Sequence, residues 1–223
     1  MRQIIIAFIL LVNNYCFSQD IELIGGVNKN NFYDFRRNEG HYNSSYISDF
    51  GYTFRIGVEN VKLKKIDNLN LRFTLSYDKY GGGIKVSDGG NGGGYSTTAN
   101  INKSIISLGV FPLNFKLKNK IDLNFGIEFS RLMIDGFEGE YNYWLMNWGS
   151  SYENLNEKYD RFNARNYFGI RGRIAYDLNI TENLILSPQY SYYLGLGSEF
   201  EEFPRTTSSM RQYLSLGIQR KIK

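Results

Sequence analysis

Apolar and polar residues alternate along most of this chain. The clearest stretch is NLNLRFTLSY, residues 68–77, in which the apolar row is Leu69, Leu71, Phe73, Leu75 and Tyr77. The intervening row is polar and contains Arg72. A period of two is that of a β-strand, whose successive side chains point to opposite faces. The stretch therefore predicts a strand with one apolar and one polar face.

The same alternation recurs in seven other segments, so the sequence predicts about eight strands. Their apolar rows begin at Ile21, Phe50, Ile106, Ile121, Phe168, Leu184 and Leu214. Each segment is near the roughly 9–11 residues of a tilted strand that crosses a bilayer. In SIISLGVFPLNFKLK the apolar row changes phase after Val110, which predicts a β-bulge at Phe111–Pro112 that also accommodates the proline.

The predicted connections alternate in length. Short ones fall at residues 61–68, 118–120 and 179–183, and long ones at 33–49, 79–103, 133–163 and 197–208. An even number of strands with short turns on one side and long loops on the other is typical of transmembrane barrels. We therefore expect an all-β fold: an antiparallel up-and-down transmembrane β-barrel with short periplasmic turns and long extracellular loops.

The first 18 residues are typical of a cleaved signal peptide, which leaves residues 19–223 as the barrel domain. A short basic start precedes the apolar run 4–12, and the small residues Cys16 and Ser18 suit a cleavage site. Cys16 is the single cysteine, so we expect no disulfide. The net charge of +4 includes no long block of like charge, which argues against a nucleic-acid partner.

The polar row carries charges of both signs, which predicts a charge network inside the barrel. Its members are Glu22, Arg55, Glu59, Arg72, Asp122, Glu128, Arg171, Arg173, Asp177 and Arg211, and Asp78 lies on the same row. An eight-stranded barrel has an interior just wide enough for side chains to fill it, so we expect these charges to pair and plug it. Alternation alone also fits a soluble periplasmic ligand-binding barrel with the apolar row inside.

Candidate chemistry is sparse. His41, the single histidine, lies near Glu39, Ser44 and Ser45 without a spacing that would hold a catalytic set together. The glycine-rich run at 88–94 lacks the Lys and Ser/Thr of a phosphate loop and the acidic ligands of a calcium loop, which predicts a flexible surface loop. We expect no catalytic residue, no metal site and no cofactor.

The third long connection contains the segment FEGEYNYWLMNW, residues 137–148, which is rich in aromatic side chains. Exposed Tyr and Trp are favoured at binding surfaces, so Tyr141, Tyr143, Trp144 and Trp148 form a candidate loop binding surface. An aromatic girdle with loop packing at the outer lipid interface is the interpretation we favour for this segment, and the binding surface is its functional alternative.

The segment LGVFPLNFKLKNKIDLNFGIEFSRLM resembles the central signature of the PorT-like outer-membrane β-barrel family of Bacteroidetes-type bacteria. The matching features are Pro112-Leu113 in one strand, Lys116 in its basic end and Gly126 in the next strand. IELIGGVNKNNF and LSLGIQRKIK resemble the opening and closing strands of the family. The resemblance implies a bacterial outer-membrane location.

The expected function is that of a small non-enzymatic barrel in envelope structure or surface binding, with outer-membrane lipid and other envelope or secretion proteins as partners. Because the family includes an accessory component of the type IX secretion system, a role in protein secretion is an alternative. A lipid-modifying enzyme would need a catalytic set that the chain does not show.

Overall fold

A computed structural model of the chain describes residues 20–34, 43–63, 66–118, 120–154, 164–200 and 207–221. The predicted signal peptide lies outside these residues. The described chain forms strands and turns, and its ten strands are β1 Asp20–Asp34, β2 Asn43–Leu63, β3 Ile66–Gly90, β4 Gly93–Leu117, β5 Ile121–Leu145, β6 Gly149–Asn154, β7 Asn166–Tyr176, β8 Leu178–Asn179, β9 Leu184–Gly195 and β10 Thr207–Lys221. Its residues include no helix with the length and apolar character needed to cross a membrane.

Eight of these strands close into an antiparallel ring. The order is β10-β1-β2-β3-β4-β5-β7-β9, and β9 pairs with β10 to complete the circle. The short strand β6 folds back on the end of β5, and the two-residue β8 pairs with the start of β9. The predicted all-β, eight-stranded barrel is therefore confirmed. Closure leaves no free sheet edge around the ring, so neighbouring strands can satisfy each other's backbone groups.

The apolar row faces outward and the polar row faces the interior. Leu23, Phe129 and Leu214 are about half or more exposed, at 49%, 56% and 68%, whereas the alternating charged residues are buried. On β3 the outward row is more covered, with Leu71 and Phe73 both buried, but the intervening Arg72 contacts Glu22 inside the ring. This orientation contradicts the soluble alternative, which requires the apolar row to form the core.

The phase change in β4 has the predicted cause. The β4–β5 register shifts between Val110 and Leu113, which confirms the bulge at Phe111–Pro112. The bulge turns Phe111 inward, and the side-chain amide of Asn114 donates a 2.8 Å hydrogen bond to the Phe111 carbonyl. Among the residues that the structure describes, the β3–β4 ladder ends at the pair Arg72–Phe111, whereas β4 continues along β5 to Leu117.

A second irregularity lies between β2 and β3, where the register shifts between Ser48 and Tyr52. Two inward-facing asparagines of β1 satisfy nearby carbonyls. The Asn28 amide donates to the carbonyls of Tyr52 and Lys79, both at 3.0 Å, and the Asn30 amide donates to the Gly81 carbonyl at 2.8 Å. Side chains thus replace part of the interrupted ladder, as buried backbone groups require.

Two of the predicted long loops are largely strand. Residues 79–103 continue β3 and β4, whose ladder runs to the pair Gly90–Gly93 around a two-residue turn at Asn91–Gly92. The glycine-rich run is therefore a tight hairpin tip, and the prediction of a flexible surface loop is wrong. In the third long connection, β5 extends to Leu145 and pairs with β6. The two hairpins project from the ring at the end opposite the short turns.

Where these hairpins leave the ring, the inward side chains become apolar and the outward side chains become polar. On β4, Ile106 and Val110 point outward, but Ile101 and Ile105 are fully buried inside, with Asn100 exposed on the outer side. The inward side chains there form a cluster, hereafter the upper core: Phe32, Tyr80, Ile84, Val86, Ala99, Ile101, Ile105, Phe137, Tyr167 and Phe200. The barrel is therefore apolar outside in its lower part and apolar inside in its upper part.

Truncation of the upper core tests this division. We expect Ile101→Ala to destabilise the projecting hairpins by about 2–5 kcal/mol, because the change leaves a cavity in the upper core. Hydrogen exchange of the β3–β4 hairpin amides should become faster in the variant. Asn100→Ala, on the exposed side of the same strand, is the matched control and should leave exchange almost unchanged. Equal protection in both variants would contradict an apolar core at this position.

Candidate functional site: the charged interior and the aromatic hairpin

The lowest layer of the interior is centred on the carboxylate of Glu22, which β1 directs into the ring. The Arg173 guanidinium donates to it at 2.9 Å, and the Gln189 amide does so at 3.1 Å. Arg72 contacts both Glu22 and Glu59. Glu22 is fully buried, so its charge is compensated by the two arginines rather than by water.

The rim of the ring at the short-turn end holds a separate group of charges. The Lys116 ammonium lies 2.8 Å from Asp177 and 3.6 Å from Asp122, and the Ser187 hydroxyl donates to Asp177 at 2.8 Å. A polar cavity of about 210 Å³ opens beside this group and reaches Arg72 and Glu59. The Arg72–Glu59 side of the lowest layer therefore lines a cavity at the short-turn end.

The middle layer is centred on Asp78, with three arginines around it. Its carboxylate lies 3.5 Å from Arg55, 3.8 Å from Arg171 and 3.6 Å from Arg211. Arg171 also pairs with Glu128 at 3.0 Å. All five side chains are buried, so this layer contains three cations and two carboxylates away from bulk water.

Tyrosine rings compensate part of this excess positive charge. The Arg55 and Arg171 guanidinium groups lie 4.1 Å and 4.3 Å from the centre of the Tyr213 ring, and Arg211 lies 3.8 Å from the centre of the Tyr193 ring. Ring faces attract cations most strongly when both are desolvated. Sequence reasoning did not assign these tyrosines a role. Both tyrosines lie on the polar row of their strands, and this position could have indicated that they face the interior.

The top of the interior is closed by a segment that follows β9. Glu199 and Phe200 fold into the mouth of the ring, where the Lys103 ammonium lies 3.4 Å from the Glu199 carboxylate and donates to its backbone carbonyl at 3.0 Å. The Tyr80 hydroxyl donates to the same carboxylate at 2.7 Å. Lys103 interrupts an inward apolar row of β4, but sequence reasoning placed it at the edge of a long loop and missed it.

All ten residues of the expected charge network lie on the inner side of the ring. The structure brings them together as three groups: Glu22 with Arg72, Arg173 and Glu59; Asp122 with Asp177 through Lys116; and Glu128 with Arg55, Arg171 and Arg211 through Asp78. Asp78 thus lies between arginines that would otherwise repel one another. Lys116 does the same for Asp122 and Asp177. With the Glu199–Lys103 pair above them, paired charges extend from the rim to the mouth.

The four aromatic residues of the expected loop surface divide into two sets. Tyr141 is half-buried against the upper core and stacks on Tyr95, with ring centres 6.1 Å apart. Burial, with a smaller contribution from Asp88, raises the pKa of Tyr95 to about 12, so its hydroxyl stays neutral. Tyr143 and Trp144 are about two-fifths exposed and Trp148 is 86% exposed. The exposed set is therefore Tyr143, Trp144 and Trp148, on a strand and its turn rather than on a long loop.

The Trp144 ring packs against the glycine-rich tip of the β3–β4 hairpin. A Cβ atom at Gly94 would come within 2.6 Å of the Trp144 ring, and one at Gly89 within 3.1 Å. Glycines at these two positions let the indole pack directly on the backbone of the β3–β4 hairpin. The packing ties the Trp144 side chain of the β5–β6 hairpin to the neighbouring β3–β4 hairpin.

Residues with other chemistry do not converge on a second site in the described ranges. Ser44 and Ser45 lie on β2, whereas His41 and Glu39 fall outside the residues that the structure describes. No cluster of three or more His, Cys, Asp and Glu side chains in the described part of the chain could hold a metal ion.

No protein-family model matches the sequence, and no curated protein matches it. Solved structures to which the chain is similar include Neisserial surface protein A, at 14% identity and a TM-score of 0.41, over 91% of this chain and 97% of that one. The attachment invasion locus protein Ail of Yersinia pestis is 8% identical with a TM-score of 0.39, over 91% and 99%. OprG of Pseudomonas aeruginosa is 10% identical with a TM-score of 0.36, over 92% and 96%. Scores of this size do not establish function.

Removal of the Asp78 carboxylate tests the middle layer. We expect Asp78→Asn to lower the free energy of unfolding by about 3–5 kcal/mol, because three buried guanidinium groups would then face a single carboxylate. Urea unfolding of the detergent-solubilised protein measures the loss. Asp49→Asn, the same change at an exposed carboxylate of β2, should have little effect. Adding Arg211→Gln to Asp78→Asn should restore part of the free energy of unfolding. A double variant with a lower free energy of unfolding than Asp78→Asn would contradict this account.

Proposed function

We propose that this chain is a small, non-enzymatic outer-membrane β-barrel protein with a sealed interior, which acts through the surface of its projecting hairpins. The observation that carries this proposal is the reversal of the two faces along β4. Outward residues are apolar from Ile106 to Leu117 and polar at Thr98, Asn100 and Asn102. The outer face of the barrel is therefore apolar along one part of the strand and polar along the next. This change suits a strand that passes from hydrocarbon into water.

The height of the apolar belt supports a membrane location. On β5 the outward apolar side chains run from Leu123 to Phe129, and on β7 they run from Phe168 to Tyr176. Spans of this length approach the roughly 9–11 residues of a tilted strand that crosses a bilayer. The closed ring also removes the unpaired backbone edges that hydrocarbon does not tolerate. The short turns would then lie on the periplasmic side and the hairpins outside.

The filled interior supports a surface function over transport. Paired charges occupy the lower and middle layers, and the upper core and Glu199 lie above them. Charges paired at these distances stabilise the barrel instead of leaving an aqueous path. Among the residues that the structure describes, the exposed aromatics Tyr143, Trp144 and Trp148 are our candidates for recognition, since Tyr and Trp are favoured at protein interfaces. Since Trp144 already packs on the backbone at Gly94, binding through this indole would require little further ordering of its side chain.

A charge placed on the belt tests the membrane location. We expect Ile127→Arg to lower the stability of the lipid-embedded barrel by about 2–4 kcal/mol, because the guanidinium would lie near the middle of the hydrocarbon. Glu138→Arg, an outward position higher on the same strand, is the control and should fold into vesicles like the parent. Folding is followed by the heat-dependent gel shift of closed barrels. Equal folding of both variants would contradict the proposed belt.

Conductance of the parent protein in planar bilayers tests the sealed interior. We expect no steady current, because the charge layers and the upper core fill the ring above the cavity at its rim. Asp78→Asn, if it folds, should increase brief openings, since it unbalances the middle layer. A stable open-channel current from the parent protein would contradict a surface function and would favour transport through the barrel.

A further inference from the structure

We propose that the outer wall of the barrel carries a site for one lipid with a phosphate headgroup, at the upper end of the seam between β5 and β7. The inference rests on the membrane location proposed above and goes beyond it by naming a ligand class and a place. An apolar groove of about 310 Å³ lies there, with walls formed by Leu108, Phe129 and Phe168 and with Arg131 and Asn166 at its rim.

The groove lies where the β5–β7 ladder ends, one step below a last backbone hydrogen bond of 2.9 Å from the Leu132 N–H to the Arg165 carbonyl. The β5–β7 ladder ends at the pair Arg131–Asn166, after which β5 continues upward to pair with β6. A register shift between Ser104 and Ile105 on the β4 side coincides with the same level. A wall that would otherwise be smooth therefore has a recess, and Phe129 and Phe168 face each other beside it with ring centres 6.4 Å apart.

The level of the groove suits an acyl chain below and a headgroup above. Its apolar walls belong to the outward belt that the proposed function places in hydrocarbon. On β5 Met133 and Ile134 are exposed above Arg131, and the outward side chains become polar further up, at Asn102 and Glu138. A volume of about 310 Å³ is at the small end of the roughly 300–1,000 Å³ of ligand sites, which suits part of one chain better than a whole molecule.

Arg131 supplies the charge that selects the headgroup. Its side chain is exposed at the rim on the lipid side of the wall, and within the described parts of the chain it has no hydrogen bond or ion pair. A guanidinium binds phosphate oxygens through two parallel hydrogen bonds, so a cation here favours a phosphate-bearing lipid over a neutral one.

Native mass spectrometry of the detergent-solubilised barrel tests the proposal with three probes: dioleoyl phosphatidic acid, dioleoylglycerol and glycerol 3-phosphate. We expect a single phosphatidic acid to be retained, with much weaker retention of the neutral lipid and no competition from the chain-free phosphate. Arg131→Gln should weaken phosphatidic acid binding about tenfold, the loss of a charge-assisted contact. Leu108→Gln should weaken it as well, because it places an amide in the groove.

Two matched variants control for general lipid adhesion. Arg220→Gln removes an exposed arginine at the opposite edge of the belt, and Leu186→Gln alters an outward leucine of β9 away from the groove. Both should bind phosphatidic acid like the parent. Equal losses in Arg220→Gln and Arg131→Gln, equal retention of dioleoylglycerol, or full competition by glycerol 3-phosphate would each overturn the proposed site.

The heat-dependent gel shift separates failure of the site from failure of the proposed function. Every variant is compared only after it shows the shift of the parent barrel. A parent protein that shows the shift but does not retain phosphatidic acid overturns the lipid site alone. A parent protein without the shift overturns the membrane barrel, and with it the lipid site.

Discussion

Closure of the eight-stranded ring is the constraint on which the rest of the structure depends. Once β9 pairs with β10, each strand must present one side-chain row to a narrow interior and the other to the surroundings. Residues that would be unremarkable in water, such as Arg72 and Asp78, are thereby confined together and must find partners. Where the ladder itself is interrupted, Asn28 and Asn114 donate to carbonyls nearby.

The confined charges explain why this interior specifies one arrangement. Two central carboxylates are shared, Glu22 between Arg72 and Arg173 and Asp78 among three arginines, so these side chains cannot rearrange one at a time. Buried ion pairs give little net stability compared with an apolar core, but breaking one is costly. Above these layers the upper core stabilises the hairpins by ordinary burial, and those hairpins carry the exposed aromatic surface.

Several elements could be predicted from the alternation alone. The eight ring strands, the bulge at Phe111–Pro112 and the inner position of the arginines all follow from a period of two and from the conformational limits of proline. The long connections were predicted less well, because interrupted alternation in glycine-rich segments is typical of loops as well as of hairpins. Tyr141 was assigned to the surface because its segment was predicted to be a loop. Only the pairing of β4 with β5 shows that its ring stacks on Tyr95.

The sequence by itself determined which residues share a face along each ring strand and that eight strands form the ring, because both follow from the local alternation; the short strands β6 and β8 were not predicted. Only the tertiary structure decided which charges meet, since Asp78 and Arg211 lie on strands far apart in the chain. It also decided that Glu199 closes the mouth, that Trp144 packs on Gly94, and that a recess opens beside Arg131. Each of these depends on how strands are placed beside one another, either across the ring or, for Trp144 and Gly94, in the register of β4 with β5. Alternation along one strand does not state that placement.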